Sequence, residues 1–209
     1  MARGHLGFFY LIASIIYLIS PIEDDIINNF LLSKLIACFL MLTFGSFFTV
    51  LPDYDRRKFI RLLIFWPLDV RGGFSHRSYR SHSISTVFLA LIYSTLISVA
   101  LYFLIEVEAL NQSFKSISNF IRPLLSYFGL SLASISLNLN LFFLNLVFIC
   151  CLGVLTHLIA DLLTYMGIPL LYPLTSRKFS FKLFKSDNRL VNNLFSLLGW
   201  AFFFLYLIA

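Results

Sequence analysis

The chain has 209 residues, of which 59% are hydrophobic and only 12% are charged, and its mean hydropathy is +0.88. A composition this apolar excludes an ordinary water-soluble domain, in which about 25% of residues are charged. The net charge of +6 comes with no aromatic-interleaved basic patch, so we expect no nucleic-acid partner.

Five apolar runs approach or reach the length of about 20 residues that a helix needs to cross a bilayer. In chain order they cover 6–20, 30–51, 83–105, 139–160 and 190–209. The stretch 117–137 is also apolar, but Arg122, Pro123 and Gly129 interrupt it, which favours a re-entrant or interfacial segment over a sixth span. The sequence predicts an all-α, polytopic transmembrane helical bundle of about five spans, with six as the alternative. It forms a single integral membrane domain over 1–209.

The basic residues predict how this bundle is oriented. Twelve of the sixteen lie in the segments 52–82 and 162–189, and positive charge accumulates in cytoplasmic loops. We therefore expect both segments, and the N-terminus with Arg3, to be cytoplasmic, and five spans then place the C-terminus outside. The protein is predicted to be a multi-pass cell-membrane protein whose basic loops lie against membrane lipid.

All four histidines and three aspartates belong to this same membrane face. They are His5, His76, His82, His157, Asp53, Asp55 and Asp161. Pro52 disfavours helix at the preceding residue, and in an extended segment Asp53 and Asp55 would point to one side.

His157 and Asp161 are four residues apart and share one helix face. The alternatives are that the aspartates after the second span cap a helix end, and that His157 and Asp161 only hydrogen-bond at the interface. A metal site is the hypothesis that explains why all seven residues are predicted at one membrane face.

Histidine and aspartate without cysteine suit zinc, or else manganese or iron, better than magnesium or calcium. Seven candidate ligands are more than one tetrahedral ion takes. The site therefore holds either one divalent ion, with some of the residues orienting the ligands, or two ions.

Arg77 and Arg80 lie near the N-terminus of the third span, where an arginine pair suits a phosphate group. They are equally explained as markers of the cytoplasmic side.

Several short motifs resemble a known family. They are Gly4-His5, Leu51-Pro52-Asp53-Tyr54-Asp55, His76-Arg77 with His82-Ser83, and Thr156-His157 through Ala160-Asp161, Thr164, Gly167 and Tyr172-Pro173. Together they resemble the LexA-regulated, membrane-bound predicted metal-dependent hydrolases, the YdjM-like proteins, and related archaeal membrane proteins. The resemblance covers residues 4 to about 173, and His76 and His82 are six positions apart where the family usually has five. It implies a metal site and hydrolase activity.

Two functions are consistent with these observations. The first is a metal-dependent hydrolase at the cytoplasmic face that cleaves a phosphoester such as a lipid or lipid-linked phosphate. Asp53 or Asp55 would be its general base, and Arg77 and Arg80 would hold the phosphoester. The alternative is a metal-binding membrane protein without catalysis, either a transporter or a structural or regulatory scaffold.

Overall fold

The computed structural model describes residues 2–20, 30–56, 81–106 and 139–209. In these ranges the chain forms helices, which are α1 (Ala2–Ile19), α2 (Phe30–Leu40), α3 (Ser46–Val50), α4 (Ile84–Glu106), α5 (Leu139–Leu162) and α6 (Arg189–Ile208). A π-helical turn (Met41–Gly45) joins α2 to α3, and a 3₁₀ helix (Leu51–Arg56) follows α3. The described residues contain two isolated β-bridges and no strand. The predicted all-α architecture is confirmed.

Four helical stretches are long and apolar enough to cross a membrane. They are Ser33–Asp53, Ile84–Phe103, Asn140–Leu162 and Arg189–Ile208. The N-terminal helix α1 is apolar but has only 18 residues, so it is roughly 27 Å long, close to the hydrocarbon thickness of about 30 Å. Each helix coincides with one of the five predicted runs. The segment 117–137 lies outside the described residues.

The second span corrects one expectation from the sequence. Residues 51–55 were expected to be extended after Pro52, but they lie in the 3₁₀ helix Leu51–Arg56. The helix of the second span runs directly into this turn: Leu51 has helical φ −53° and ψ −45°, and its N–H donates to Phe48 O, so the usual bias against helix before a proline is overridden here. The prediction of an extended segment, on which the argument about Asp53 and Asp55 depended, is therefore wrong.

Helix α5 is the centre of the bundle and contacts α1, α3 and α4. Its close approach to the second span depends on Gly153, where an added Cβ would lie 2.7 Å from the carbonyl oxygen of Gly45 and 3.0 Å from the backbone nitrogen of Thr49. Helices α1 and α6 also pack backbone to backbone. Their approach at Gly199 is so close that an added Cβ there would overlap the backbone of Gly7. Small residues allow such approaches in membrane bundles.

Successive spans run in opposite directions, so their ends collect at two levels. The N-termini of α1 and α4 and the C-termini of the second span and α5 lie at one level. The chain also enters α6 at this level, where the Asn188 side chain accepts hydrogen bonds from Leu190 N at 3.1 Å and Val191 N at 3.3 Å. The fold thus delivers side chains from four membrane segments to one end of the bundle.

Candidate metal centre

Five of the predicted ligands meet at this end of the bundle. His5 lies on α1, Asp53 in the 3₁₀ helix, His82 directly before α4, and His157 and Asp161 one turn apart on α5. His82, His157 and Asp161 are fully buried and His5 is 7% exposed. The Asp53 side chain is 22% exposed. The cluster is therefore largely shielded from solvent.

Three of these side chains form a nearly equilateral triangle of donor atoms. Nε2 of His82 lies 3.4 Å from Nε2 of His157, Asp161 Oδ2 lies 3.4 Å from His82 Nε2, and it lies 3.6 Å from His157 Nε2. Hydrogen bonds between such atoms are about 2.7–3.2 Å long, so these separations are too long for good hydrogen bonds. Two ligands on a tetrahedral ion with bonds of about 2.1 Å are about 3.4 Å apart. The triangle therefore has the dimensions of one face of a metal-coordination sphere.

The two remaining side chains adjoin this triangle. His5 Nε2 lies 3.7 Å from Asp161 Oδ1, and His82 Nε2 lies 3.8 Å from Asp53 Oδ1. His5, Asp53 and His157 form a second group whose donor atoms lie within 4.8 Å of one another, as do those of the triangle. His157 belongs to both groups, so the arrangement is compatible with one ion or with two neighbouring ions.

The charges of the cluster also fit a divalent cation. Two carboxylates among neutral imidazoles carry two negative charges in a largely buried site, and buried charges require compensation. Two protonated imidazoles would supply the same charge. However, Nε2 atoms of His82 and His157 at 3.4 Å cannot both carry a hydrogen directed at the other. His82 and His157 could instead both direct an Nε2 lone pair at a cation between them, which would remove this conflict.

Neighbouring groups fix the directions of the rings. Ser81 Oγ lies 2.9 Å from Nδ1 of His82, and both residues are fully buried. When Nδ1 donates to this hydroxyl, the lone pair of Nε2 faces the cluster, as a metal ligand requires. The rings of His5 and His157 stack with their centroids 4.1 Å apart. The ring of His82 is thus oriented by a contact outside the cluster, and the rings of His5 and His157 are oriented by each other.

The other predicted site residues cannot be placed in this cluster. Asp55 belongs to the 3₁₀ helix, but its side chain falls outside the described residues, as do His76, Arg77 and Arg80. Their assignment to metal or substrate binding stays a prediction. The contact between Ser81 and His82 was not predicted from the sequence. The signal available was the position of a serine directly before a candidate ligand histidine.

Comparison with known proteins identifies the family. The family model described as YdjM inner membrane protein matches residues 1–209. No significant match was found among curated proteins or among solved structures. The family description agrees with the apolar helices of the bundle in placing the chain in a membrane with several spans. The chain belongs to the YdjM inner membrane protein family.

Proposed function

We propose that this protein is a metal-dependent hydrolase of the membrane face that cleaves a phosphoester. The proposal rests on the triangle formed by His82, His157 and Asp161, whose edges of 3.4–3.6 Å match the spacing of metal ligands. Two histidines and one carboxylate are a common ligand set for catalytic zinc and for iron. His5 and Asp53 would complete the site, with zinc favoured and manganese or iron as alternatives. A divalent ion held by these residues would supply a bound water of lowered pKa and would polarise the scissile group.

The chain's own residues divide the remaining tasks. Asp53 has the most exposed side chain of the five, so water and substrate reach it first, and its carboxylate can accept the proton of an attacking water. Asp161 and the histidines are buried and serve as ligands. Arg77 and Arg80 are proposed to bind the phosphoester. The cluster lies at the ends of the spans, which favours a lipid or lipid-linked phosphate at headgroup depth.

Complete burial of three ligands supports a second candidate, which is a structural metal site without catalysis. Structural sites are filled by protein ligands, whereas catalytic sites leave one position for water or substrate. A transporter is less favoured, because transporters bind their ions near the bilayer midplane. Here His5, His82 and Asp53 all lie at helix ends.

Metal content and turnover measured on the same variants separate the two candidates. Protein purified in detergent should contain stoichiometric metal, and Asp161→Asn and His157→Ala should lose it. Asp53→Asn should retain most of the metal, because the triangle and His5 remain and the amide oxygen can still coordinate, but it should lose at least 100-fold in turnover of a phospholipid or lipid-linked phosphate, as expected when a general base is removed. The matched control is Ser14→Ala, which changes a buried hydroxyl of α1 away from the ligands.

The result that contradicts catalysis is tight metal binding without turnover of any phosphoester in a panel of phospholipids and lipid-linked phosphates. Absence of metal from the folded wild-type protein would contradict both candidates. Orientation is tested separately, because the proposal places the cluster on the cytoplasmic side.

A further inference from the structure

The segment 163–188, which joins α5 to α6, has a surface unlike that of an ordinary loop. It is non-helical but firmly attached to the bundle. Phe181 N donates to Leu162 O at 2.7 Å and Leu183 N donates to Leu163 O at 2.9 Å. Ile168 and Phe179 exchange two backbone hydrogen bonds of 2.9 and 3.0 Å. The segment therefore holds a defined shape.

The segment is also tied to the start of α4. Ile84 N donates to Leu170 O at 2.8 Å, and Ser85 Oγ donates to Tyr172 O at 2.9 Å. Ile168 is fully buried beneath the segment as part of the apolar core. The side chains that remain outside are therefore presented on a fixed platform at the end of the bundle.

Large apolar side chains cover much of this platform. More than half of the surface of each of five residues is exposed, and Leu174 is 87% exposed. The five are Tyr165, Met166, Leu174, Phe181 and Leu183. Apolar surface on this scale marks contact with a membrane or a partner.

Basic side chains are interleaved with these apolar ones. Exposed lysines and arginines in and directly after the segment are Arg177, Lys178, Lys182, Lys185 and Arg189. The same stretch contains a single acidic residue, Asp187. A surface that is both apolar and positive matches the boundary of a bilayer with anionic headgroups.

We infer that the segment 163–188 is an interfacial platform that binds anionic phospholipid. Its irregular backbone excludes it from the hydrocarbon core, where exposed peptide groups cannot be satisfied. Its exposed apolar side chains make a location in bulk water unfavourable. At headgroup depth both requirements are met, and the lysines contact the phosphates. The inference depends on membrane insertion and not on the proposed hydrolysis.

An apolar cleft in the platform gives the lipid tail a place to bind. It has a volume of about 230 Å³. Its walls are formed by Leu162, Leu170, Leu171, Phe179, Ser180 and Phe181. Since Phe181 borders this cleft and Lys182 follows it in the chain, one phospholipid can place part of an acyl chain in the cleft and its phosphate near the lysine.

The test is lipid retention by purified protein in neutral detergent. Native mass spectrometry should show phosphatidylglycerol bound in preference to phosphatidylcholine. Lys178→Gln/Lys182→Gln/Lys185→Gln should weaken this binding by roughly 100-fold, about a factor of five for each basic side chain near an anionic surface. Asp187→Asn is the matched control in the same segment, and it should retain or slightly increase binding.

Two further measurements keep the inference falsifiable. Phe181→Ser/Leu183→Ser should lower retention of both lipids while leaving the melting temperature in lipid-free detergent nearly unchanged, because both side chains are exposed. If the lysine variant does not fold, wild-type binding of phosphatidylglycerol should still weaken steeply as salt rises. Equal retention of the two lipids by the wild type, or a lysine variant that binds like wild type, overturns the inference. Either result leaves the metal-centre proposal unaffected.

Discussion

Replacing Ser81 by alanine tests whether the histidine rings are set up for metal. Its hydroxyl lies 2.9 Å from Nδ1 of His82, and its backbone is held by Thr86, whose Oγ1 donates to Ser81 O at 2.9 Å. A ring that donates from Nδ1 directs the lone pair of Nε2 toward the cluster. Without this acceptor the ring can adopt the other tautomer and turn away. Loss of such a ring partner lowers metal affinity by about 10–100-fold, so we expect Ser81→Ala to weaken metal binding by this factor.

The assay is a competition titration of the metal-free protein with zinc and a chromogenic chelator, followed by cobalt absorption spectra to report ligand geometry. Ser83→Ala is the matched control, because Ser83 is equally buried and its Oγ has no hydrogen-bond partner among the described residues. We expect this control to bind within about twofold of wild type, since no ring contact is lost. Ser81→Thr, which keeps a hydroxyl, should restore most of the affinity. Equal affinities for Ser81→Ala and Ser83→Ala would refute the positioning role.

Three further predictions follow from the packing and the orientation. Gly153→Ala should lower the free energy of unfolding by about 1–3 kcal/mol, because its Cβ would lie 2.7 Å from the Gly45 carbonyl oxygen; unfolding in denaturant measures this. Tyr17→Phe should cost about 0.6–1.7 kcal/mol in the same assay, because Tyr17 Oη donates to Asn145 Oδ1 at 2.8 Å inside the bundle. A cysteine at Ser75, which the basic segment 52–82 places in the cytoplasm, should resist an impermeant thiol reagent in intact cells, and labelling from outside would contradict the orientation.

The spans were predictable because their signal is long and redundant. The predicted run 139–160 corresponds to the helix Leu139–Leu162, and the predicted run 83–105 corresponds to the helix Ile84–Glu106. A helix that must bury some twenty apolar residues in lipid leaves little freedom in its position. Alternation of direction then places His5, His82 and His157 at one level without any knowledge of side-chain contacts. Topology alone therefore predicted most of the cluster.

Local backbone and lateral packing were not predictable in the same way. The sequence suggested an extended chain at Asp53, but the helix continues through Pro52 as a 3₁₀ helix. Propensity favours one conformation at such a position, and the packing of α3 against α5 selects another. The segment 163–188 has no strong periodicity, so its hydrogen bonds to α4 could not be predicted from the sequence.

The contact of Lys34 is a second feature that the sequence did not predict. Lys34 is 5% exposed near the start of the second span, with its ammonium group 5.7 Å from the ring centroid of Tyr206. No signal for this contact was available in the sequence, because one charge does not interrupt a long apolar run.

The two carboxylates of the cluster differ in exposure, and the difference bears on whether the centre is closed or open. The Asp161 side chain is 1% exposed and contributes one corner of the triangle. The Asp53 side chain is 22% exposed and lies outside the triangle, 3.8 Å from His82 Nε2. A structural centre would be expected to bury its fourth ligand as completely as the other three, whereas a catalytic centre keeps its last position accessible to water. Of the two carboxylates in the cluster, the one that water can reach is therefore Asp53, which lies beside the buried ligand triangle at His82. An accessible proton acceptor beside buried ligands is what the proposed hydrolysis requires, and it supports that proposal over a purely structural role.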